Sequence, residues 1–587
     1  MKPPIFSMDQ TQFYYPGQDM MIKDSAGGIF GSDYSNEQYK ELETGRTRLL
    51  FVGVVFAFVF LLISARLFEF TVLKENTAMA ASKEYQTPSL SSVIKRADIT
   101  DREGTVLATG LPVVNLYSDN SKIQPEDIDT IAADVVRTIS GLSYKTVRER
   151  LSRNSRFVYI KRNLTPKEQY EINRLGYPCF AFENGEKRVY PQGRLFSHIL
   201  GVVGLDNQGL SGIENYFDDK LLNKNEPVKL SVDSGVQRSV RKILEDNIRH
   251  FQADNGTAIV MDVNTFEIIA MVSLPDFDPN DFSESEDKEA FNRATLGVYE
   301  FGSVFKIINT AIALETGVVE LQDKIDSSPL RLTAHKTVKD FHPLNRPLSV
   351  TEIMVHSSNT ASARLGLEIG ENRQREYFSR LGLLEKSDIE LPEIASPLIP
   401  KYWKAQATVA NVAYGYGIAV TPLQVLNAVS AIVNGGTYYP ASFLSPNPHL
   451  TGEGTRVVSD KNSALMRQVL RAVVEEGSGK KADVKGYNVG GKTGTAEMTS
   501  NGKWQTNKVR ASFVAVFPSD KPKYAVLVML EDPKGIKEET YGFRTAGWNA
   551  AKCAGEIIAN IGPQLGVLPE FTEEEKENLY QKVGLNL

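Results

Sequence analysis

Apolar and polar positions divide the N-terminal part of the chain into two segments of different character. Residues 1–45 are polar and follow no regular period, whereas residues 49–65 form a run of seventeen residues without a charge. At about 1.5 Å per residue this run covers ~26 Å, slightly less than a ~30 Å hydrocarbon core. Arg66 can reach the interface and lengthen the span. The pattern predicts one transmembrane helix within 46–70, preceded by a flexible tail.

Two other interpretations of the apolar run stay open. A cleavable signal peptide is one, because residues 78–80 resemble a processing site, although 48 residues precede the run and the site lies far beyond it. A buried core helix is the other, and the uniform hydrophobicity argues against it. Basic residues flank the run equally on its two sides: Lys40, Arg46 and Arg48, then Arg66, Lys74 and Lys83. Charge therefore does not decide the orientation.

Short apolar runs return in the second half of the chain, at its two ends. Four of them are predicted strands: 257–263, 267–274, 511–517 and 524–530. Between them, residues 303–316 are apolar almost all round and end at Gly317, which predicts a buried helix with a glycine stop. Strands at both ends with helices between them predict an α+β domain whose sheet is assembled from distant segments.

Composition narrows the possible functions. At 587 residues the chain is expected to form more than one domain. A net charge of −6 gives no electrostatic footprint for nucleic acid. Cys179 and Cys553 are the only cysteines, which excludes a disulfide framework and a cysteine-rich metal site. Two unrelated free thiols are expected, a single bridge stays open, and neither a metal nor a cofactor is predicted.

Three short motifs in the second half carry side chains suited to acyl transfer. The first places Ser303 three residues before Lys306, the second is Ser-Ser-Asn at 357–359, and the third is Lys-Thr-Gly at 492–494. The Ser-x-x-Lys pattern alone is weak, because it also begins at Ser92, Ser239, Ser285, Ser478 and Ser500. All three motifs in this order are the signature of penicillin-binding proteins and class A β-lactamases.

The residue types of the first motif fit an activated serine nucleophile. A serine hydroxyl needs a base within hydrogen-bond reach, and positions i and i+3 share a helix face, so Lys306 can lie against Ser303. A lysine acts as a base near neutral pH only where burial or a second ammonium disfavours its charged form. Lys492 is the candidate for that second charge. A helix start at Ser303 would also aim backbone N–H groups at a developing oxyanion.

The second motif suits proton transfer and substrate positioning. Ser357 and Asn359 alternate about Ser358, so in an extended loop they point the same way. The hydroxyl fits a proton relay, and the amide fits a group that holds the substrate backbone. A surface turn is the alternative interpretation of this motif.

The third motif predicts a substrate-binding edge strand over residues 490–497. Gly494 and the glycines before it would let a substrate main chain approach closely. Lys492 and either Thr493 or Thr495 are candidates for binding a terminal carboxylate. A hairpin turn is the alternative interpretation.

From about residue 96 to 550 the chain resembles class B penicillin-binding proteins, the membrane-anchored peptidoglycan transpeptidases. Family landmarks are matched at 96–108 (RADITDREGTVLA), 188–193 (RVYPQG), 209–214 (GLSGIE) and 274–280 (LPDFDPN). Residues 292–306 and 414–424 look most like the cell-division (FtsI-type) branch. Ala97 and Phe301 stand where the family usually has glycine and proline, and 544–552 replaces a commoner proline-containing ending.

The resemblance implies a membrane-anchored, multidomain architecture. A transpeptidase domain with an antiparallel sheet flanked by helices would follow a pedestal domain and one transmembrane helix. The implied divisions are a cytoplasmic tail 1–45, a transmembrane helix 46–70, a pedestal 71–225, a transpeptidase domain 226–565 and a C-terminal tail 566–587. The chain would cross a bacterial inner membrane once, with its catalytic domain in the periplasm.

The resemblance also implies a role for each candidate residue. Ser303 attacks the D-Ala–D-Ala amide of a stem pentapeptide, with Lys306 as general base and the backbone N–H groups of Ser303 and Thr495 as the oxyanion hole. The other implied roles are proton transfer by Ser357, peptide positioning by Asn359, and carboxylate binding by Lys492, Thr493 and Thr495. β-Lactams would acylate the same serine. A septal glycosyltransferase and other division proteins are the implied partners.

Several alternatives to a septal transpeptidase stay open. An elongation-type enzyme or a D,D-carboxypeptidase would share the acylation chemistry, and a division-complex scaffold or β-lactam sensor would use it only secondarily. A β-lactamase would need a residue that activates water, and none can be assigned. A Ser-His-Asp hydrolase would have to use His356, yet the chain has no G-x-S-x-G elbow.

Overall fold

The computed structural model describes residues 50–65, 95–500 and 503–571, and the side chains outside 499–507. It separates into two units, 1–92 and 93–587, which are described one at a time. The expected tail at 1–45 and the expected C-terminal tail from residue 572 onward lie outside the described residues.

The described part of the first unit is a single apolar helix over residues 50–65. Its large side chains are exposed, and Phe51 and Phe60 each retain 70% of their accessible surface. The helical prediction is confirmed over these positions. Among the described helices, none combines the length and the hydropathy needed to cross a bilayer.

Strands of the second unit build two larger sheets and several short ladders. In the N-terminal sheet the order is β3-β2-β1-β5 with β4 also paired to β2, and in the C-terminal sheet it is β14-β15-β16-β6-β7. The strands are β1 Ile99–Thr100, β2 Val106–Ser118, β3 Val158–Leu164, β4 Phe180–Val189, β5 Val228–Lys229, β6 Asn255–Asp262, β7 Ile268–Leu274, β8 Lys324–Asp326, β9 Leu330–Arg331, β10 Thr337–Val338, β11 Pro347–Ser349, β12 Thr437–Tyr438, β13 Thr455–Arg456, β14 Gly490–Ser500, β15 Lys503–Phe517 and β16 Tyr524–Glu531.

Helices of the second unit lie before, between and after these strands. They are α1 Ile128–Thr138, α2 Tyr144–Leu151, α3 Pro166–Leu175, α4 Ser197–Leu200, α5 Gly212–Tyr216, α6 Ser234–His250, α7 Asp287–Ala290, α8 Phe305–Glu315, α9 Val350–Val355, α10 Asn359–Arg380, α11 Gln406–Ala413, α12 Pro422–Val433, α13 Asp460–Glu475, α14 Lys537–Thr540 and α15 Ala550–Gln564. Helices α1 to α3 pack on the N-terminal sheet over a small core of their own.

The C-terminal sheet is buried on both faces. Along β16, Leu527 and Met529 join the core that contains α8 and α12, whereas Val526 and Val528 join the core beneath α6 and α15. Every pair in this sheet is antiparallel. A strand covered on both faces reads as a continuous apolar run, which is why the sequence pattern locates these strands. The predicted α+β architecture with helices around an antiparallel sheet is confirmed.

Helix α8, which carries one of the candidate motifs, is buried along almost its whole length. Its residues from Phe305 to Leu314 are all buried, and the chain leaves the helix through Gly317 in the left-handed region at φ +68°. Glycine adopts that conformation without the strain that a Cβ would add. The predicted buried helix with its glycine stop is confirmed.

The two cysteines lie in different hydrophobic cores. Cys179 belongs to the core beneath α1 to α3, and Cys553 belongs to the core beneath α6 and α15. Both are buried free thiols. The expectation of two unrelated thiols is confirmed.

Three of the landmark segments meet at one buried ionic network. Glu214 accepts from Nε of Arg96 at 2.6 Å and from Nε of Arg188 at 2.7 Å, and all three side chains are excluded from solvent. Asp218 accepts from the same Arg96 guanidinium at 2.6 Å. One carboxylate therefore holds together strand β4, helix α5 and the segment before β1.

Glu214→Ala is expected to destabilise this region strongly. Removing one partner of a buried pair costs about 3–5 kcal/mol, because it leaves charge uncompensated, and here two guanidinium groups lose their shared acceptor. Thermal unfolding should show a lower midpoint. Glu171→Ala, which breaks an exposed pair with Arg174, should change the stability by less than about 1 kcal/mol. Equal midpoints for the two variants would show that the network does not support the fold.

Candidate active site

Ser303 lies in a tight turn at the start of helix α8. Residues Gly302–Val304 form one 3-10 turn that runs directly into the helix. Side chains at i and i+3 stack in such a turn, which places Lys306 beneath the serine. The Lys306 side chain is fully buried, and Ser303 borders an open cavity. The turn and the helix therefore bring Ser303 and Lys306 to the same end of α8, and their roles as nucleophile and base stay a prediction.

Contacts around the Lys306 amine leave it suited to accept a proton. Its Nζ lies 2.6 Å from the backbone oxygen of Ser357 and 2.7 Å from Oδ1 of Asn359. A neutral amine has two hydrogens, and these two acceptors use both. The Ser357 hydroxyl lies 3.1 Å away. The nitrogen lone pair is thus available to a hydroxyl proton.

A second buried lysine reaches the same hydroxyl from the opposite side. Nζ of Lys492 lies 3.1 Å from Oγ of Ser357 and 3.3 Å from Oγ1 of Thr493. Burial lowers the pKa of Lys492 to about 7. Burial, and next the charge of Lys492, lower the pKa of Lys306 well below its usual range. The lowered pKa disfavours the charged form of Lys306, which suits a general base. Near neutral pH Lys492 keeps part of its positive charge.

The loop at 357–359 differs from the extended conformation predicted for it, and that expectation is wrong. Ser357 has a φ of +56°, Ser358 caps the N-terminus of α10 by accepting from the Ala361 N–H, and Asn359 is the first residue of that helix. The left-handed turn at Ser357 sets its hydroxyl between the two lysines. Ser357 and Asn359 converge on Lys306 by this turn followed by a helix start, not by strand alternation.

Asp340, which belongs to none of the three motifs, holds this loop in place. Its Oδ1 accepts from the backbone N–H groups of Asn359 at 2.6 Å and Thr360 at 2.9 Å. Its Oδ2 accepts from the hydroxyl groups of Ser358 at 2.6 Å and Thr360 at 3.0 Å. A carboxylate at a helix start satisfies orphan N–H groups and suits the positive end of the dipole. No local pattern around Asp340 signals this role, since it belongs to a loop seventeen residues before the motif.

Glycines bring the nucleophile turn against the predicted edge strand. Strand β14 is at the edge of the C-terminal sheet, as expected. A Cβ on Gly494 would lie 2.4 Å from the Phe301 carbonyl oxygen, and one on Gly302 would lie 2.8 Å from the Thr495 carbonyl oxygen. Gly302 also has a φ of +51°. Only residues without a side chain allow the two backbones this contact, which brings the Thr495 peptide group beside the serine turn.

The resulting cavity has a volume of about 810 Å³, and most of the candidate residues line it. Ser303, Ser357, Asn359, Thr493 and Thr495 line it. Lys306 and Lys492 lie beneath its wall with no exposed surface. Other lining residues lie outside the candidate set: Asp340, Phe341, His342, Tyr416, Ser478, Lys480, Lys481, Glu497, Phe543 and Trp548.

One end of the cavity is rich in hydroxyl and ammonium groups. Oγ of Ser478 lies 2.6 Å from Oγ1 of Thr493, and Lys480 and Lys481 line the same region. The Lys481 ammonium lies 5.4 Å from the centre of the Trp548 ring, a favourable cation–π geometry. These groups together suit a carboxylate.

Comparison with known proteins gives the family. The penicillin binding protein transpeptidase domain matches residues 256–553, and the penicillin-binding protein dimerisation domain matches residues 92–261. The chain is 36% identical over 485 residues to the probable peptidoglycan D,D-transpeptidase FtsI of Caulobacter vibrioides, covering 80% of this chain and 82% of that one. It is 27% identical over 507 residues to peptidoglycan D,D-transpeptidase FtsI of Escherichia coli K12, covering 81% and 84%.

A solved structure is similar in fold. A peptidoglycan synthetase from Bifidobacterium adolescentis superposes with a TM-score of 0.65 at 21% identity, covering 82% of this chain and 97% of that one. The family inferred from the three motifs is confirmed by these comparisons. This chain belongs to the penicillin-binding proteins that carry a transpeptidase domain.

Proposed function

We propose that the protein is a septal peptidoglycan D,D-transpeptidase, which crosslinks stem peptides through an acyl-enzyme on Ser303. The observation that carries this proposal is that the buried lysines Lys306 and Lys492 both contact the Ser357 hydroxyl. Ser303 lines the same cavity, which is bordered by residues of the edge strand β14. Relatives named peptidoglycan D,D-transpeptidase FtsI support the substrate class and the division role.

Acylation proceeds in steps, each of which uses groups around Ser303. The serine oxygen attacks the carbonyl carbon of the penultimate D-Ala, and its proton passes to the neutral amine of Lys306. The backbone N–H groups of Ser303 and Thr495 stabilise the oxyanion. As the C–N bond breaks, the Ser357 hydroxyl passes its proton to the departing amine and takes a proton from the Lys306 ammonium 3.1 Å away, which returns Lys306 to its neutral form. The terminal D-Ala leaves, and the rest of the stem stays as an ester on Ser303.

Substrate binding precedes this step and fixes its geometry. Lys492, Thr493 and Thr495 hold the terminal carboxylate, and the amide of Asn359 holds the peptide backbone. In the second half-reaction an amine from a neighbouring stem attacks the ester and gives up a proton to Lys306. The bond from the acyl carbon to the Ser303 oxygen breaks, Lys306 returns the proton to that oxygen, and the new amide is the crosslink. A β-lactam mimics the first substrate, acylates the same oxygen and stays there.

The proposal also includes a membrane anchor at the N-terminal helix and a periplasmic location for the transpeptidase domain. The uncharged run at 49–65 and the exposed apolar side chains of the helix at 50–65 support a membrane anchor. We place the transpeptidase domain in the periplasm and pair the protein with a septal glycosyltransferase and other division proteins. The division of the chain into tail, anchor, pedestal, transpeptidase domain and C-terminal tail stays a prediction.

Ser303→Ala should abolish both acylation by labelled penicillin and crosslinking, because it removes the hydroxyl oxygen on which the proposed acyl-enzyme forms. Mass spectrometry of the full chain checks the adduct, and a lipid-linked pentapeptide with a partner glycosyltransferase checks the crosslink. Ser239→Ala is the matched control, since Ser239 also precedes a lysine by three positions and is partly buried.

A stable adduct on another peptide would overturn the assignment. Free D-Ala without crosslink would indicate a carboxypeptidase, and septal growth with Ser303→Ala would favour a scaffold.

The rate of acylation should follow a bell-shaped dependence on pH. It rises as Lys306 loses its proton, and the rising limb should lie well below the usual range of a lysine, because burial and the charge of Lys492 lower the pKa of this amine. It falls as Lys492, with a pKa of about 7, loses the ammonium that binds carboxylate. Acylation by penicillin measured between pH 5 and 9 checks both limbs. An analogue with a neutral amide in place of the carboxylate should lose the falling limb, and an unchanged limb would remove Lys492 from this role.

Asp340→Asn should slow acylation about tenfold to a hundredfold, which corresponds to about 1.4–2.7 kcal/mol, because an amide cannot replace four accepted hydrogen bonds. Asp340 is a positioning residue, so its effect should also appear in the pH profile. Loss of its charge removes a contribution that raises the pKa of Lys306, and the rising limb should move to lower pH. Asp326→Asn, on an exposed acid paired with Arg364, is the control. A slower rate with an unmoved limb would mean that Asp340 only stabilises the loop.

A further inference from the structure

The far end of the cavity differs in charge from the carboxylate end. Glu497 lines the cavity, and its side chain is exposed. It lies on β14 four residues beyond Thr493. Lysines line the Thr493 end, so the floor of the groove runs from positive to negative along one strand.

The position of Glu497 is fixed, but within the described residues no cationic side chain pairs with its carboxylate. Its backbone N–H donates to the hydroxyl of Tyr416, and its charge, after burial, helps to raise the pKa of that phenol to about 12. The neighbouring Glu300 accepts from the Gly417 N–H at 2.7 Å, so that acid is engaged in the fold. Asp340 also lines the cavity, but its carboxylate accepts from the loop that it holds, so among the described lining residues Glu497 is the acid whose carboxylate is open to the groove.

The length of a stem peptide matches the distance along this strand. Four residues of β-strand span about 13 Å. With its terminal carboxylate at Thr493, an extended donor stem paired to β14 has the α-carbon of its third residue about 7 Å along the groove. Side chains of paired strands stand across the strand axis and lean along it, so a side chain of four or five carbons can reach a diagonal neighbour on β14. The tip of that side chain then comes within reach of the Glu497 carboxylate.

Stem chemistry supplies a positive charge at that tip. In the proposed crosslinking reaction the acceptor is an amine carried by a stem side chain. Donor stems have the same composition, so the donor carries the same amine in the residue before D-Ala–D-Ala. We infer that Glu497 binds this side-chain ammonium of the donor stem and so selects stems whose third residue is a diamino acid. The inference rests on the proposed transpeptidase function.

The test compares two donors that differ only in this charge. N-acylated tripeptides ending in D-Ala–D-Ala carry either lysine or norleucine as their first residue, and release of D-Ala by the full chain gives kcat/KM for each. The wild-type protein should prefer lysine by about threefold to tenfold, as expected of a partly exposed ion pair. In Glu497→Gln this preference should fall to near one. The ratio is taken within each variant, so a general loss of activity cancels.

Two further variants sharpen the result. Glu497→Lys should reverse the preference toward a tripeptide with glutamate at the same position. Glu453→Gln removes an exposed acid from a loop away from the cavity and should keep the wild-type ratio. An unchanged lysine preference in Glu497→Gln, with Ser303 still acylated, would overturn the inference and leave the proposed function intact. Absence of acylation by every D-Ala–D-Ala donor and by penicillin would overturn the proposed function itself.

Discussion

Two lysine side chains packed without solvent around one serine hydroxyl are the constraint on which the site depends. Moving the pKa of Lys492 from 10.5 to about 7 corresponds to about 5 kcal/mol of differential stabilisation of its neutral form. Such a site persists only where the surrounding structure over-determines it. Burial also lowers the pKa of Lys306 and so suits it to act as a base. The burial of the two lysines is therefore both the energetic cost of the site and the cause of its reactivity.

The fold meets this constraint by fixing each lysine on a separate rigid element. Lys306 belongs to a helix buried nearly all round, and Lys492 belongs to a strand of a sheet covered on both faces. Gly302 and Gly494 let the two elements touch through their backbones. Asp340 then sets the third element, the loop that carries Ser357. A groove with little freedom to relax keeps the amines away from water.

Features of the fold and the site could be predicted from the sequence where neighbouring residues determine them, and not where a tertiary contact does. Strand β16 and helix α8 were predictable because burial on all sides leaves a continuous apolar run, and Ser303 and Lys306 because their spacing is set within one turn. The left-handed turn at Ser357 was not predictable, since serine rarely adopts that conformation and a tertiary contact decides it. Asp340 acts on residues distant in the chain, so no window of sequence contains both its carboxylate and the N–H groups it binds.

The buried arginines and the buried lysines of this protein lie in opposite electrostatic environments. The arginines have a carboxylate partner and stabilise the fold, whereas the lysines lack one and serve the proposed chemistry. Arg96 and Arg188 share the carboxylate of Glu214, so their charge is compensated and they hold chain segments together. Lys306 and Lys492 are equally buried, but they face hydroxyl and carbonyl oxygens and each other. Without a paired carboxylate, the lower free energy lies with the neutral amine. A carboxylate counter-ion compensates the charge of Arg96 and Arg188 and holds chain segments together. Burial without a paired carboxylate lowers the pKa of Lys306 and so suits it to act as a base.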